Sequence, residues 1–216
     1  MSGKTTKTIN RTRPDLKIEK QYQGIIAGID EVGRGPWAGP VVACSLIFLK
    51  QTLPRGLKKV IDDSKKLTEK VRLEIYDILM NTPGLCHWGV GEASVDEIDE
   101  INIHQASLLA MERSFAALNL KVDMALIDGR SVPQIPCQTV PILQGDSKSV
   151  SIAAAAIIAK THRDRYMTEL SQQYPQYGWH TNAGYGTKEH QEALKVHGPT
   201  LHHRKSFAPI RELLAA

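Results

Sequence analysis

Two short apolar runs, each closed by a carboxylate, constrain the fold of this chain more than any other feature. Ile25–Ile29 is followed by Asp30-Glu31, and Met124–Ile127 by Asp128-Gly129. Brief runs with β-branched residues read as strands buried on both faces. Two such strands separated by long helical stretches lie parallel, joined by a helical crossover. In sheets of this kind ligands bind at the carboxyl ends of the strands. Both acids would then stand at that edge, and they converge if the strands are neighbours.

The remaining periodicities complete a sheet. Val41–Leu49 reads as a second strand, antiparallel to the first, and Leu85–Ala93 as a third. Pro136–Leu143 is expected at an edge, because Pro136 and Pro141 cannot donate to a ladder. Val71, Ile75, Ile78 and Leu79 follow helical spacing, as do Ile101, Leu108 and Phe115 within residues 96–119. Ser149–Tyr174 reads as a long helix and Lys188–Val196 as a short one inside a Gly- and His-rich terminal region. The expectation is an α/β chain, a mixed five-stranded sheet with helices on both faces. Residues 1–22, basic and poor in apolar side chains, read as a disordered tail. Residues 23–216 read as one domain, with a small appendage from about residue 175.

Composition removes several function classes. Hydrophobic residues at 42% and charged residues at 23% permit a packed core and argue against global disorder. Cys44, Cys86 and Cys137 form no Cys-x-x-Cys pair, so a thiolate zinc site is not expected. Met1–Lys20 lacks the apolar run of a secretory leader, and Val150–Ala159 is about half a membrane span. A cytoplasmic protein with no membrane partner is expected. The formal charge of +4 permits a nucleic-acid partner without requiring one.

Asp30, Glu31 and Asp128 are the candidate chemical groups. Asp164 is a fourth, because Ala153, Ile157, Lys160 and Asp164 share a helical face and small residues let that helix approach the sheet. Clustered carboxylates repel unless protons or cations neutralise them. Hard oxygen ligands select Mg²⁺ or Mn²⁺, and a pair of such ions suits in-line attack on a phosphodiester. Gly33-Arg34-Gly35-Pro36 follows the first acids, where a bare backbone could meet phosphate or sugar oxygens. It does not fit the dinucleotide fingerprint, since the spacing is G-x-G-x-x-x-G and no helix follows. Of His180, His190, His197, His202 and His203, none shows metal-ligand spacing. They are expected at the surface, with His202 and His203 beside Arg204 and Lys205 in a basic rim.

Read together, several segments resemble the bacterial ribonuclease HII family. They are Gly28-Ile29-Asp30-Glu31-Val32-Gly33-Arg34-Gly35-Pro36, Asp62-Asp63-Ser64-Lys65-Lys66-Leu67 and Leu126-Ile127-Asp128-Gly129. Ser151-Ile152-Ala153-Ala154-Ala155 leading to Arg163-Asp164-Arg165-Tyr166-Met167, Gly184-Tyr185-Gly186-Thr187 and His203-Arg204-Lys205-Ser206-Phe207 complete the series. The resemblance implies a ribonuclease-H-like fold with a C-terminal helical appendage, and a monomer. It implies hydrolysis of RNA in RNA–DNA hybrids and at single ribonucleotides embedded in duplex DNA. The cut falls 5′ of the ribonucleotide and leaves a 3′-hydroxyl and a 5′-phosphate. It also implies metal ligands Asp30, Glu31, Asp128 and Asp164, with Mn²⁺ or Mg²⁺ as cofactor. Gly33, Arg34 and Gly35 would contact the ribonucleotide, Tyr185 the following deoxyribose, and Ser64 and Lys65 the phosphates. Trp37 departs from the leucine common in the family, which puts the packing of that loop in question.

Overall fold

Alternation along one strand decides which helix covers which face. In β2 (Val41–Phe48), Val41, Ala43 and Ile47 point to one side, and Val42, Cys44 and Leu46 to the other. All are buried, the pattern of a central strand covered on both faces. The computed structural model describes residues 13–50 and 52–215. Its elements in chain order begin β1 (Ile26–Val32), β2, α1 (Arg55–Val60), α2 (Glu69–Asn81), β3 (Cys86–Ala93) and α3 (Val95–Ala116). They continue with β4 (Met124–Asp128), β5 (Gln138–Ile142), α4 (Val150–Gln173), α5 (Trp179–Asn182), α6 (Lys188–His197) and α7 (Ala208–Ala215).

The five strands form one mixed sheet in the order β3-β2-β1-β4-β5. β1 pairs antiparallel with β2 and parallel with β4, as expected, and β5 adds a parallel edge that carries Pro141. Helix α3 lies on one face, its Ala106, Ala110 and Phe115 against Ala27, Ile29 and Ala43. Helix α4 lies on the other, its Ala153–Ala155 and Ile157 against Val42, Cys44 and Leu46. The alanines let α4 come close, and Gly28 is required where it does. A Cβ there would stand 2.3 Å from the Ser151 carbonyl carbon.

Two expectations are corrected. Asp30 and Glu31 lie within β1 rather than beyond it, because β2 continues to pair as far as Val32–Val42 after the β1–β4 pairing stops at Ile29–Ile127. The basic tail of residues 1–22 falls partly outside the described residues, but from Asp15 onward the chain is packed. Asp15 bridges to Ser149, and the buried Glu19 accepts from the Ser149 hydroxyl and from the Ser151 amide and hydroxyl. That carboxylate sits at the amino end of α4, where anionic charge is favoured. Among the described residues no helix is long and apolar enough to cross a membrane.

Helix α3 begins with a capping box in which Ser94 and Glu97 satisfy each other's backbone amides, and Glu97 also takes both arms of Arg113. Those bonds, the Arg113 pair first, hold the Glu97 carboxyl down at about 2. A carboxyl lowered by folding stabilises above its unfolded pKa of about 4.3 and loses that contribution as pH falls toward the folded value. Glu97→Ala should therefore cost about 1 kcal/mol at pH 7, the usual worth of a cap. Thermal unfolding at a series of pH values should show the gap between variant and parent closing from pH 5 downward.

Candidate active site

Register brings the carboxylates together. Gly28 and Asp30 occupy the face of β1 that meets α4, and Glu31 the other. Leu126 also faces α4 with Ile152, so Asp128 two residues on shares Asp30's side at the adjacent strand end. A further acid joins them from the edge strand. After β5 the chain turns through Gln144 in the left-handed region (φ 54) into a single 3-10 turn, Gly145–Ser147. The Gly145 amide donates to Asp128 Oδ1 at 2.6 Å, which fixes Asp146 beside the cluster.

The carboxylates at this edge act on one another. Burial first, then Glu31, Asp128 and Asp146, push the Asp30 carboxyl well above its ordinary range. Burial, with a contribution from Asp128, raises Glu31 despite a 3.1 Å ion pair to Arg34. Burial, Asp63 and Asp128 raise Asp146 against the pull of Lys65. Lys65 stands 3.9 Å from Asp146. Burial lowers its ammonium, but Asp146, Asp30, Asp63 and Asp128 outweigh that and hold it above its usual value. The Asp62–Leu67 turn thus covers the acidic edge, with Ser64 buried in it.

Asp164 is not among these groups. Arg163 takes the position on α4 that points toward the sheet, and one residue on, about 100° round the helix, faces elsewhere. Asp164 is bonded there to Arg72 of α2 at 3.2 Å and to Lys160 at 2.6 Å. It lines the groove between α2 and α4. The sequence-based choice of Asp164 is therefore replaced by Asp146. The overlooked signal was an acid closely following a strand that ends on the same edge as β4.

The glycine-rich loop is shaped from beneath by two buried guanidinium groups. Arg204 donates five hydrogen bonds, to the carbonyls of Gly33, Arg34, Pro36 and twice Gly39. Arg163 donates to the carbonyls of Ala38, Pro40 and Ala183. In a trans peptide the amide opposes the carbonyl. Turning the Gly33 and Arg34 carbonyls inward therefore turns the Arg34 and Gly35 N–H groups outward. Gly33 must be glycine: its φ is +94°, and a Cβ would lie 2.3 Å from Arg163 Nε. Gly35 faces the exposed ring of Tyr185, whose Cε1 would be 3.3 Å from a Cβ at Gly35. Trp37 packs its ring on Gly186 and beside His190.

The terminal histidines correct another expectation. His190, His203 and Arg204 are fully buried, not a basic rim. Cys44 is buried, and burial raises its thiol well above the ordinary value and Cys86 to about 11, so both stay neutral.

The family model described as Ribonuclease HII matches residues 27–210. The chain belongs to the ribonuclease HII family. A Ribonuclease HII of Wolbachia pipientis (Culex pipiens strain) is 51% identical over 93% of this chain and 98% of its own. One from Rhodospirillum rubrum is 52% identical over 94% and 92%. The ribonuclease H2 from Pyrococcus horikoshii OT3 superposes with a TM-score of 0.73 at 24% identity, covering 88% of this chain and 97% of that one. Bst-RNase HIII in complex with Mn²⁺ gives 0.69 at 18%, covering 88% and 69%. At those identities the two solved structures speak for the fold. Membership makes the chain a divalent-metal-dependent endoribonuclease acting on RNA–DNA hybrids.

The residues fit such an ion. Glu31 Oε2 is buried with no hydrogen-bond partner, and four carboxylates face one sheet edge. Among the described residues no three such side chains are already arranged around one point. Hard cations with oxygen ligands are what such a set selects.

A carboxyl raised by folding destabilises the fold at neutral pH, and folding strengthens as pH falls toward its unfolded pKa. Asp30→Asn keeps the acceptor that takes the Glu31 amide at 2.7 Å and removes the charge. In chelator this variant should unfold about 1–2 kcal/mol higher than the parent at pH 7, with the difference shrinking toward pH 4. A lower unfolding temperature would show that the cluster is not strained.

Proposed function

We propose that Asp30, Glu31, Asp128 and Asp146 hold two divalent ions, Mg²⁺ or Mn²⁺, and that the chain cuts duplex DNA on the 5′ side of an embedded ribonucleotide. The observation that carries this is the pairing of the acidic edge with a glycine loop whose free amides point outward next to an exposed tyrosine. Ions bound there would polarise the scissile phosphate and acidify the attacking water, leaving a 3′-hydroxyl and a 5′-phosphate.

The chain's own groups do the selecting. The 2′-hydroxyl distinguishes a ribonucleotide from its deoxy neighbours. The outward N–H groups of Arg34 and Gly35 supply donors that can reach it without a side chain in the way. Tyr185, across from Gly35, offers a flat face for a following sugar that lacks the hydroxyl. Lys65 and Ser64, on the turn above the acids, would meet phosphate oxygens as the strand enters, Lys65 from its exposed side chain beside Asp146. Arg34, paired with Glu31, adds a cation at the same point.

A labelled duplex with one ribonucleotide, incubated with Mg²⁺, Mn²⁺ or chelator, tests this reading. The expected result is metal-dependent cutting on the 5′ side of that ribonucleotide. Cutting confined to long uniform hybrids would replace it with a hybrid nuclease lacking junction preference. On the same substrate, Asp146→Asn should lower turnover by orders of magnitude, whereas Asp164→Asn, which weakens the pairs to Arg72 and Lys160 but leaves the acidic edge intact, should keep most of it.

A further inference from the structure

Behind Tyr185 lies a chain of buried polar groups whose direction is fixed from both ends. The Thr200 backbone amide donates to His203 Nδ1 at 2.9 Å. A backbone amide can only donate, so His203 Nδ1 is the acceptor and its proton sits on Nε2. His203 Nε2 lies 3.0 Å from His190 Nε2 and donates to it. The indole N–H of Trp179 independently requires the same of His190 Nε2, donating at 3.3 Å. His190 must therefore carry its proton on Nδ1, which donates to the Tyr185 carbonyl at 2.9 Å. The two determinations agree, and no group in the relay is left with two protons facing each other.

Both histidines are fully buried among Tyr177, Trp179 and Trp37. Burial lowers His190, and burial together with its neighbour lowers His203 to about 3, so the relay is neutral. The Tyr185 carbonyl also accepts from Thr187 N, and the Tyr185 amide donates to the Asn182 carbonyl. The tyrosine's backbone is thus pinned on both sides while its ring stays exposed.

We propose that His203 and His190 are positioning residues that set the Tyr185 ring opposite Gly35 and thereby determine the preference for a ribonucleotide followed by a deoxyribonucleotide. This rests on the junction reading above. In a uniform hybrid the following sugar keeps its hydroxyl, so the tyrosine contact is not gained there. Loss of the relay then weakens junction cleavage selectively and appears in KM rather than kcat, because the acids are untouched.

The experiment compares parent, His190→Leu and His190→Asn on the single-ribonucleotide duplex and on a uniform hybrid. His190→Leu should lower the ratio of junction to hybrid kcat/KM about tenfold, the usual worth of one buried hydrogen bond. His190→Asn, whose amide N–H can replace Nδ1, should recover most of that ratio. Imidazole nitrogen NMR of the parent should place the proton on Nε2 of His203 and on Nδ1 of His190. This measurement decides the relay's direction even if a variant fails to fold. The opposite tautomers, or an unchanged ratio in folded His190→Leu, would overturn the inference alone. A parent that cuts the hybrid but not the single ribonucleotide would overturn the junction reading, and the inference with it.

Discussion

Two buried guanidinium groups organise the functional end of this molecule. Arg163 on α4 and Arg204 near the C-terminus are both fully buried. Burying an isolated cation is costly unless its donors are satisfied. Here the compensation comes from main-chain carbonyls rather than a buried carboxylate. Burial lowers Arg163 to about 10 and Arg204 to about 9, so both remain charged at neutral pH. Each therefore demands acceptors. Ala183 supplies one of the three on Arg163, and the loop Gly33–Pro40 supplies the other two and all of those on Arg204. Its irregular path, with Gly33 and Gly39 at positive φ, is the shape that brings those carbonyls inward.

The same requirement joins distant parts of the chain. Arg204 belongs to the appendage and Arg163 to the long helix, yet both grip the loop that follows β1. The Arg204 amide donates to the Trp37 carbonyl, and the Trp37 amide to that of Gly184. Asp99 of α3 accepts from the Lys205 and Ser206 amides and from the Ser206 hydroxyl, tying the appendage to the opposite face of the sheet. The appendage is thus a clamp rather than an ornament. The tyrosine and the glycine loop are held against each other by groups buried beneath them.

How much of this was legible in the sequence depends on how local each determinant is. The strands were readable because a central strand needs an apolar run, and Asp30, Glu31 and Asp128 were readable because each directly closes or extends one. Asp146 was not, since Gln144-Gly145-Asp146 reads as an ordinary turn until β5 is known to run parallel to β4 and end on the same edge. Asp164 was misplaced by a single step on a helix. The alanines of α4 blur which side is apolar, and Arg163, not its neighbour, took the inward position. His190 and His203 sit among polar residues and glycines, and only their tertiary contacts with Tyr177 and Trp179 place them inside.

The acidic edge and the arginine-held loop are opposite solutions to one problem. Below the loop, every nitrogen of the buried cations donates to a fixed carbonyl dipole. At the strand ends, buried carboxylates press on one another, and Glu31 keeps an oxygen with no partner. That arrangement stores unfavourable charge where a divalent cation would relieve it, and binding energy is available because the fold has already met the cost of assembling the ligands. The strain is tolerable because β1 stays paired with β2 as far as Val32 and is covered by α3 and α4. A carboxylate at the end of a less supported strand would move away from its neighbours instead of waiting among them.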